Sequence, residues 1–140
     1  MILDLHKEDH RKRAQVYFDK LMEQHAKMEI KKIPQRRTLS QNAYLHVLFS
    51  LWGNEYGYSI DESKIVVKRA LKYTYERNGE TFLKHTSGMD TKELSEFVDR
   101  FRNWSVAEGF YLPSADEIGE NYADYAYEID RAERNQKRYS

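Results

Sequence analysis

Residues 6–10, His-Lys-Glu-Asp-His, set two imidazoles four positions apart with two acids between them. Positions i and i+4 share a helix face, so His6 and His10 could hold a divalent ion with Glu8 as a further ligand, as a metal-dependent nuclease would require. A metal centre needs a closed or substrate-shared ligand geometry, and nothing nearby completes one at a recognisable spacing. The pattern is not HExxH. An exposed, charged first helical turn is the plainer account. His25, His46 and His85 are isolated and suit packing or surface roles. There is no GxGxxG, no phosphate-binding loop and no GxSxG elbow, and no acids are paired at nuclease-like spacing. Asp61-Glu62 and Asp116-Glu117 fall where helices should start, and there negative charge complements the macrodipole. The chain has no cysteine, which removes thiolate ligands, cysteine nucleophiles and disulfides together. The expectation is a protein that is not an enzyme and takes no metal or cofactor.

A second chemistry has more behind it. Lys31, Lys32, Arg36 and Arg37 form a basic run that ends at the start of an apolar helix. The unpaired N–H groups and positive dipole end of a helix favour an anion, and guanidinium groups hold phosphate oxygens bidentately. Gln41 and Asn42 add amides at the same point, able to reach backbone or base edges. Lys64, Lys68 and Lys72, with Arg69, follow helical spacing and predict a second basic stripe. Eleven tyrosines, six phenylalanines and two tryptophans supply rings on which unpaired bases could stack. A solvated basic strand followed by a capped helix is the plainer account of these residues.

The elements that must position these groups can be read from periodicity. "ILDL" predicts a short strand. Ala14, Tyr17, Phe18, Leu21 and Met22 predict an amphipathic helix over about 7–25, and the alternation in "KMEIKKI" predicts a second strand. Strand, helix, strand is compatible with a βαβ unit, closed by Pro34. Four capping signatures follow: Thr38 with Gln41, Ser59 with Glu62, Asp90 with Glu93 and Ser114 with Glu117. They predict helices over about 39–55, 60–73, 91–108 and 115–137, with Gly57 and Gly109 closing the first and third. Asn78-Gly79 between two β-prone runs predicts a hairpin. The helix from Leu39 is apolar nearly all round, as a central core helix is. Ile118, Tyr122, Tyr125 and Ile129 make a stripe that either packs on the parent domain or pairs with a second copy. The fold class expected is α+β: a strand-helix-strand start, then mainly helices with one β-hairpin, in a single domain over 1–140.

At 140 residues with 33% charged and 40% apolar side chains, the chain can bury a core unaided. No window approaches the ~18 consecutive apolar residues of a membrane span. The early acids of "MILDLHKEDH" argue against a signal peptide, and the expected compartment is the cytoplasm. Net charge is zero but uneven. Residues 1–42 carry 10 Lys/Arg against 6 Asp/Glu, and residues 113–140 carry 4 against 7. Such polarity suits one anion-seeking surface.

"RTLSQN" at 37–42, followed by a long apolar helix, resembles the R-[ST]-L-x-Q-N signature of the phage NinB recombination proteins, also called Orf. "HTSGMDTKELSEFVDRFRNWSVAEGFYLPSADE" at 85–117 is similar to a second block of that family, and the resemblance spans about residues 1–117, leaving 118–140 as a C-terminal helical extension. It implies a homodimeric α+β protein that binds single-stranded DNA and the host single-strand-binding protein, and helps to load a recombinase or annealing protein in a bacterial host cell. Arg37, Gln41 and Asn42 match the motif, and His46 stands where the family often has tryptophan. The rival expectations are the nuclease with His6, Glu8 and His10, and a protein-interaction module that docks through the acidic, tyrosine-rich last helix without binding DNA.

Overall fold

A computed structural model describes residues 1–139. The elements are α1 (Glu8–Glu23), α2 (Gln41–Tyr56), α3 (Ile60–Ala70), β1 (Thr74–Arg77), β2 (Glu80–Leu83), α4 (Thr91–Ala107), α5 (Ala115–Glu120) and α6 (Tyr122–Tyr139), with a 3-10 turn at Thr86–Gly88. The chain is therefore mostly helical with one antiparallel hairpin, which is the α+β class in its coarse form.

The run of apolar residues in α2 makes it the central helix. Tyr44, Leu45, Val47, Leu48, Phe49, Leu51 and Trp52 are all buried, because α3, α4 and α6 cover it from different sides. Phe49 meets Phe97 and Phe101 of α4 at ring-centroid distances of 6.2 and 5.2 Å. Val67, Leu112 and Ile118 close the same core. A side chain at Gly53 would meet Ser63 Oγ at 2.6 Å and the Tyr58 carbonyl oxygen at 2.7 Å. Only glycine lets α2 and the turn into α3 come this close.

Local signals in the later chain form as expected. Ser59 with Glu62 and Ser114 with Glu117 make reciprocal capping boxes, and Asp90 accepts from the Glu93 N–H. Asn78 and Gly79 take positive φ (54° and 79°), so the two-residue turn matches the twist of its strands. Tyr75 lies opposite Phe82 in the resulting ladder. Gly57 and Gly109 end α2 and α4 in positive φ.

The start of the chain differs from the expectation. No strand forms in "ILDL" or "KMEIKKI": residues 1–4 and 26–34 carry no secondary structure, and helix comes first. Alternation makes a segment fit to be a strand, but a strand exists only through a hydrogen-bonded neighbour, and these segments find none among the described residues. α1 forms where its periodicity placed it, yet none of its residues is buried. The predicted helix over 115–137 is two helices, broken at Asn121. The stripe of Ile118, Tyr122, Tyr125 and Ile129 faces the core, so it packs on the parent fold rather than standing free for a second copy. No helix among the described residues is long and apolar enough to cross a membrane.

Candidate nucleic-acid interface

The cap of α2 is built from Ser40, not Thr38. Ser40 Oγ accepts from the Ala43 N–H at 3.2 Å. Gln41 is thereby released from the expected capping box and reaches sideways: its Nε2 donates to Ser95 Oγ at 2.8 Å and to the Thr91 carbonyl at 3.4 Å. These bonds hold the first turn of α2 beside the first turn of α4. The first turn of α2 contains no acid, whereas α3, α4, α5 and α6 each carry one or more there.

Arg36 and Arg37 precede this turn but behave differently. The Arg37 N–H donates to the Gly119 carbonyl at 2.8 Å, and its guanidinium is committed to Tyr122. Arg36 is exposed and has no ion pair among the described residues. Both border a shallow cavity of about 340 Å³ together with Asp116 and Glu120 of α5, so acids offset part of the positive field. Asn42 is exposed, and its side chain has no partner among the described residues. Lys31 pairs with Glu29 at 3.1 Å on the exposed segment that leads from α1, and Lys32 beside it has no ion pair among the described residues.

The expected Lys64–Lys68–Lys72 stripe does not form. Lys68 is only 6% exposed. Burial, reinforced by the nearby charge of Lys64, holds its amine below the usual lysine range. α3 ends at Ala70, before Lys72, in a Schellman motif: the Tyr73 N–H reaches the Lys68 carbonyl at 2.9 Å, and Lys72 takes the left-handed position at φ 61°. Helical spacing placed three lysines on one line, but it could not show that the Lys68 side turns inward or that the helix stops short of Lys72.

The structure gives Lys72 other companions. It borders a groove of about 460 Å³ with Tyr73, Lys84, Lys92 and Arg100, interleaved with Asp90, Glu93 and Glu96. Arg100 sits 4.9 Å from the Tyr73 ring centroid and donates to the Leu71 carbonyl at 2.7 Å. Lys84 pairs with Glu93 at 3.6 Å, and Lys72 and Lys92 have no ion pair among the described residues. The Lys84 N–H donates to the Tyr73 carbonyl at 3.0 Å, which extends the ladder by one rung. Tyr73, Tyr75, Phe82 and Lys84 therefore share one hairpin face. On that face Tyr75 and Phe82 stack at 5.5 Å with planes 25° apart, and they remain 44% and 39% exposed. The sequence signals for this group were weak. Lys84, Lys92 and Arg100 stand eight residues apart, but Lys84 follows β2 whereas the other two lie on α4, so no single element's period joins them. Only the alternation of the hairpin runs, followed as a register, joins Tyr75 to Phe82.

The groups weighed for a metal are not assembled. His6 lies before α1 rather than on it. His10 Nδ1 accepts from the Asp4 N–H and meets the Tyr127 hydroxyl, both at 3.0 Å. No group of three or more His, Asp or Glu side chains among the described residues could hold a metal ion. His46, at the position where tryptophan is frequent in the resembled family, faces Glu133 at 3.1 Å. Comparison of the chain with protein-family models, with characterised proteins and with solved structures finds no match.

Proposed function

We propose that this chain is a non-enzymatic DNA-recombination accessory protein of phage type. It binds single-stranded DNA, associates with the host single-strand-binding protein and helps a recombinase or annealing protein to load, as a homodimer in the bacterial cytoplasm. The "RTLSQN" element and the 85–117 block suggest the recombination role. The observation that carries the DNA-binding part is the hairpin face, where an exposed pair of stacked rings, Tyr75 and Phe82, continues into the cations Lys72 and Lys84. Aromatic platforms beside cations suit unpaired bases and their phosphates without demanding a sequence.

The α2 mouth adds Arg36 and Asn42, and Gln41 ties that mouth to the edge of the Lys72 groove through α4. Lys31 and Lys32 extend the cationic surface along the exposed segment. Acids interleave throughout, so the patch is modest, and two subunits would double it. Fluorescence anisotropy with labelled single- and double-stranded oligonucleotides across a salt series tests the reading. The expected result is preference for single strands, with affinity falling steeply as salt rises because phosphate contacts release counterions. Absence of binding at low salt, or affinity indifferent to salt, would remove the DNA-binding function.

A further inference from the structure

Residues 27–33, Lys-Met-Glu-Ile-Lys-Lys-Ile, are a strand sequence without a strand. No backbone N–H or C=O in this stretch has a partner among the described residues. Its limits are sharp: the Ala26 N–H is tied to the Leu21 carbonyl at the end of α1, and Pro34 has no N–H to offer. Ile30, the middle residue, is 76% exposed. Unpaired β-prone backbone of this kind accepts another strand, and the question is whose.

We infer that the occupant is the same segment of a second copy, paired antiparallel about a two-fold axis at Ile30. In an isologous antiparallel pair, the residue on the axis faces itself and its neighbours exchange partners symmetrically. A centre at Ile30 uses all seven free residues. It sets Glu29 opposite Lys31 of the second copy and Lys31 opposite its Glu29, two opposite-charge cross-strand pairs on one face. Within one chain these two side chains already meet at 3.1 Å, so both lie on the same side of the segment. Other symmetric registers fail. A centre at Glu29 sets Glu29 against itself and Lys27 against Lys31, and a centre at Lys31 sets Lys31 against itself. A centre at Met28 also sets Lys27 opposite Glu29, but it leaves only residues 27–29 to pair, because Ile30 then meets Ala26, whose N–H is already bonded. The ribbon would also bring two copies of the uncovered α1 to one assembly.

The inference rests on the two-subunit assembly in the proposed function and fails separately from it. It is tested without DNA, by sedimentation equilibrium and by cross-linking. Glu29→Lys and Lys31→Glu each set like charges opposite one another twice, and should weaken the dimer on the order of tenfold or more. The double swap Glu29→Lys with Lys31→Glu restores the pairs and should restore the affinity. The chain has no cysteine, so Ile30→Cys reports the axis directly. Opposed residues have Cα atoms about 4.5–5.5 Å apart, within disulfide range, and the dimer should cross-link on oxidation. Lys31→Cys, whose symmetry mate lies about 8 Å away by strand spacing, should not. A dimer indifferent to both single charge changes and uncross-linked at position 30 overturns the ribbon and leaves the homodimer standing. A chain that stays monomeric at all concentrations overturns both.

Discussion

The guanidinium of Arg37 lies over the ring of Tyr122, 4.8 Å from its centroid, and its Nη1 donates to the hydroxyl of the same residue at 2.7 Å. Arg36, one residue earlier, has no such partner. Adjacent arginines thus divide between holding α6 and facing solvent. Arg37→Ala should lower stability to urea by about 1 kcal/mol, the scale of one partly exposed cation–π contact and hydrogen bond. Arg36→Ala should leave stability within about 0.5 kcal/mol of wild type, as surface changes do, while weakening single-strand affinity and flattening its salt dependence. If both variants lose equal stability, the division is wrong.

Lys68 and Lys72 separate burial from binding. The native amine of Lys68 titrates below its unfolded counterpart, so between the two values the unfolded chain binds more protons and stability rises with pH. The buried charge therefore costs stability at neutral pH, and the cost fades as pH climbs through the lowered native value towards 10.5. Lys68→Met keeps the stem and removes the charge. It should stabilise the protein by on the order of 1 kcal/mol at pH 7, with the gap to wild type closing in alkaline buffer and DNA affinity unchanged. A gap that widens as the pH rises would contradict the burial account.

Lys72 should differ from Lys68 in its effect on binding. Its φ of 61° is a conformation that costs a non-glycine residue roughly 1 kcal/mol. Lys72→Gly should raise the thermal midpoint by a few degrees and weaken single-strand binding. A stabilised variant with full affinity would take Lys72 out of the interface.

The hairpin rings make the sharpest test of the DNA-binding surface. Tyr75→Ala and Phe82→Ala remove exposed rings, and base stacking is worth about 1–3 kcal/mol per base. Each change should cost about tenfold or more in single-strand affinity with little effect on duplex affinity. Circular dichroism on the same samples checks that the fold is kept. Unchanged single-strand affinity would move the interface away from the hairpin.

What could be read in the sequence divides by range. The capping boxes at Ser59 and Ser114, the Asn78-Gly79 turn and the glycine ends of α2 and α4 are written within a few residues, and each forms. The central position of α2 was legible because a helix apolar nearly all round has no face to leave in water. Pairing and facing were not legible. "KMEIKKI" has strand alternation, but nothing within it says whether a second strand lies alongside. Lys68 has the spacing of a surface stripe, but its burial depends on what packs against α3. The candidate surface joins Lys72, Tyr75, Phe82, Lys84 and Lys92 through a register and a groove, relationships that no single window contains.

Thr38 and Ser40 offer the same hydroxyl chemistry two residues apart, and spacing alone favoured Thr38, because Gln41 stands three residues beyond it. The backbone chooses Ser40. It is extended there, at φ −66° and ψ 162°, its Oγ accepts from the Ala43 N–H, and its carbonyl accepts from the Tyr44 N–H at 2.9 Å. Gln41 is then the first helical residue, and its amide points to Ser95 instead of back to a cap. Ser40→Ala should cost about 1 kcal/mol, the usual loss for an N-cap, whereas Thr38→Ala should be near neutral. Gln41→Ala breaks the tie to α4 and leaves Ser95 in contact with water, so its cost should fall between them, at roughly 0.5 kcal/mol. Urea melts of the three variants rank these effects. A Thr38 variant that loses more than the Ser40 variant would return the cap to the "TLSQ" box and Gln41 to its purely local role.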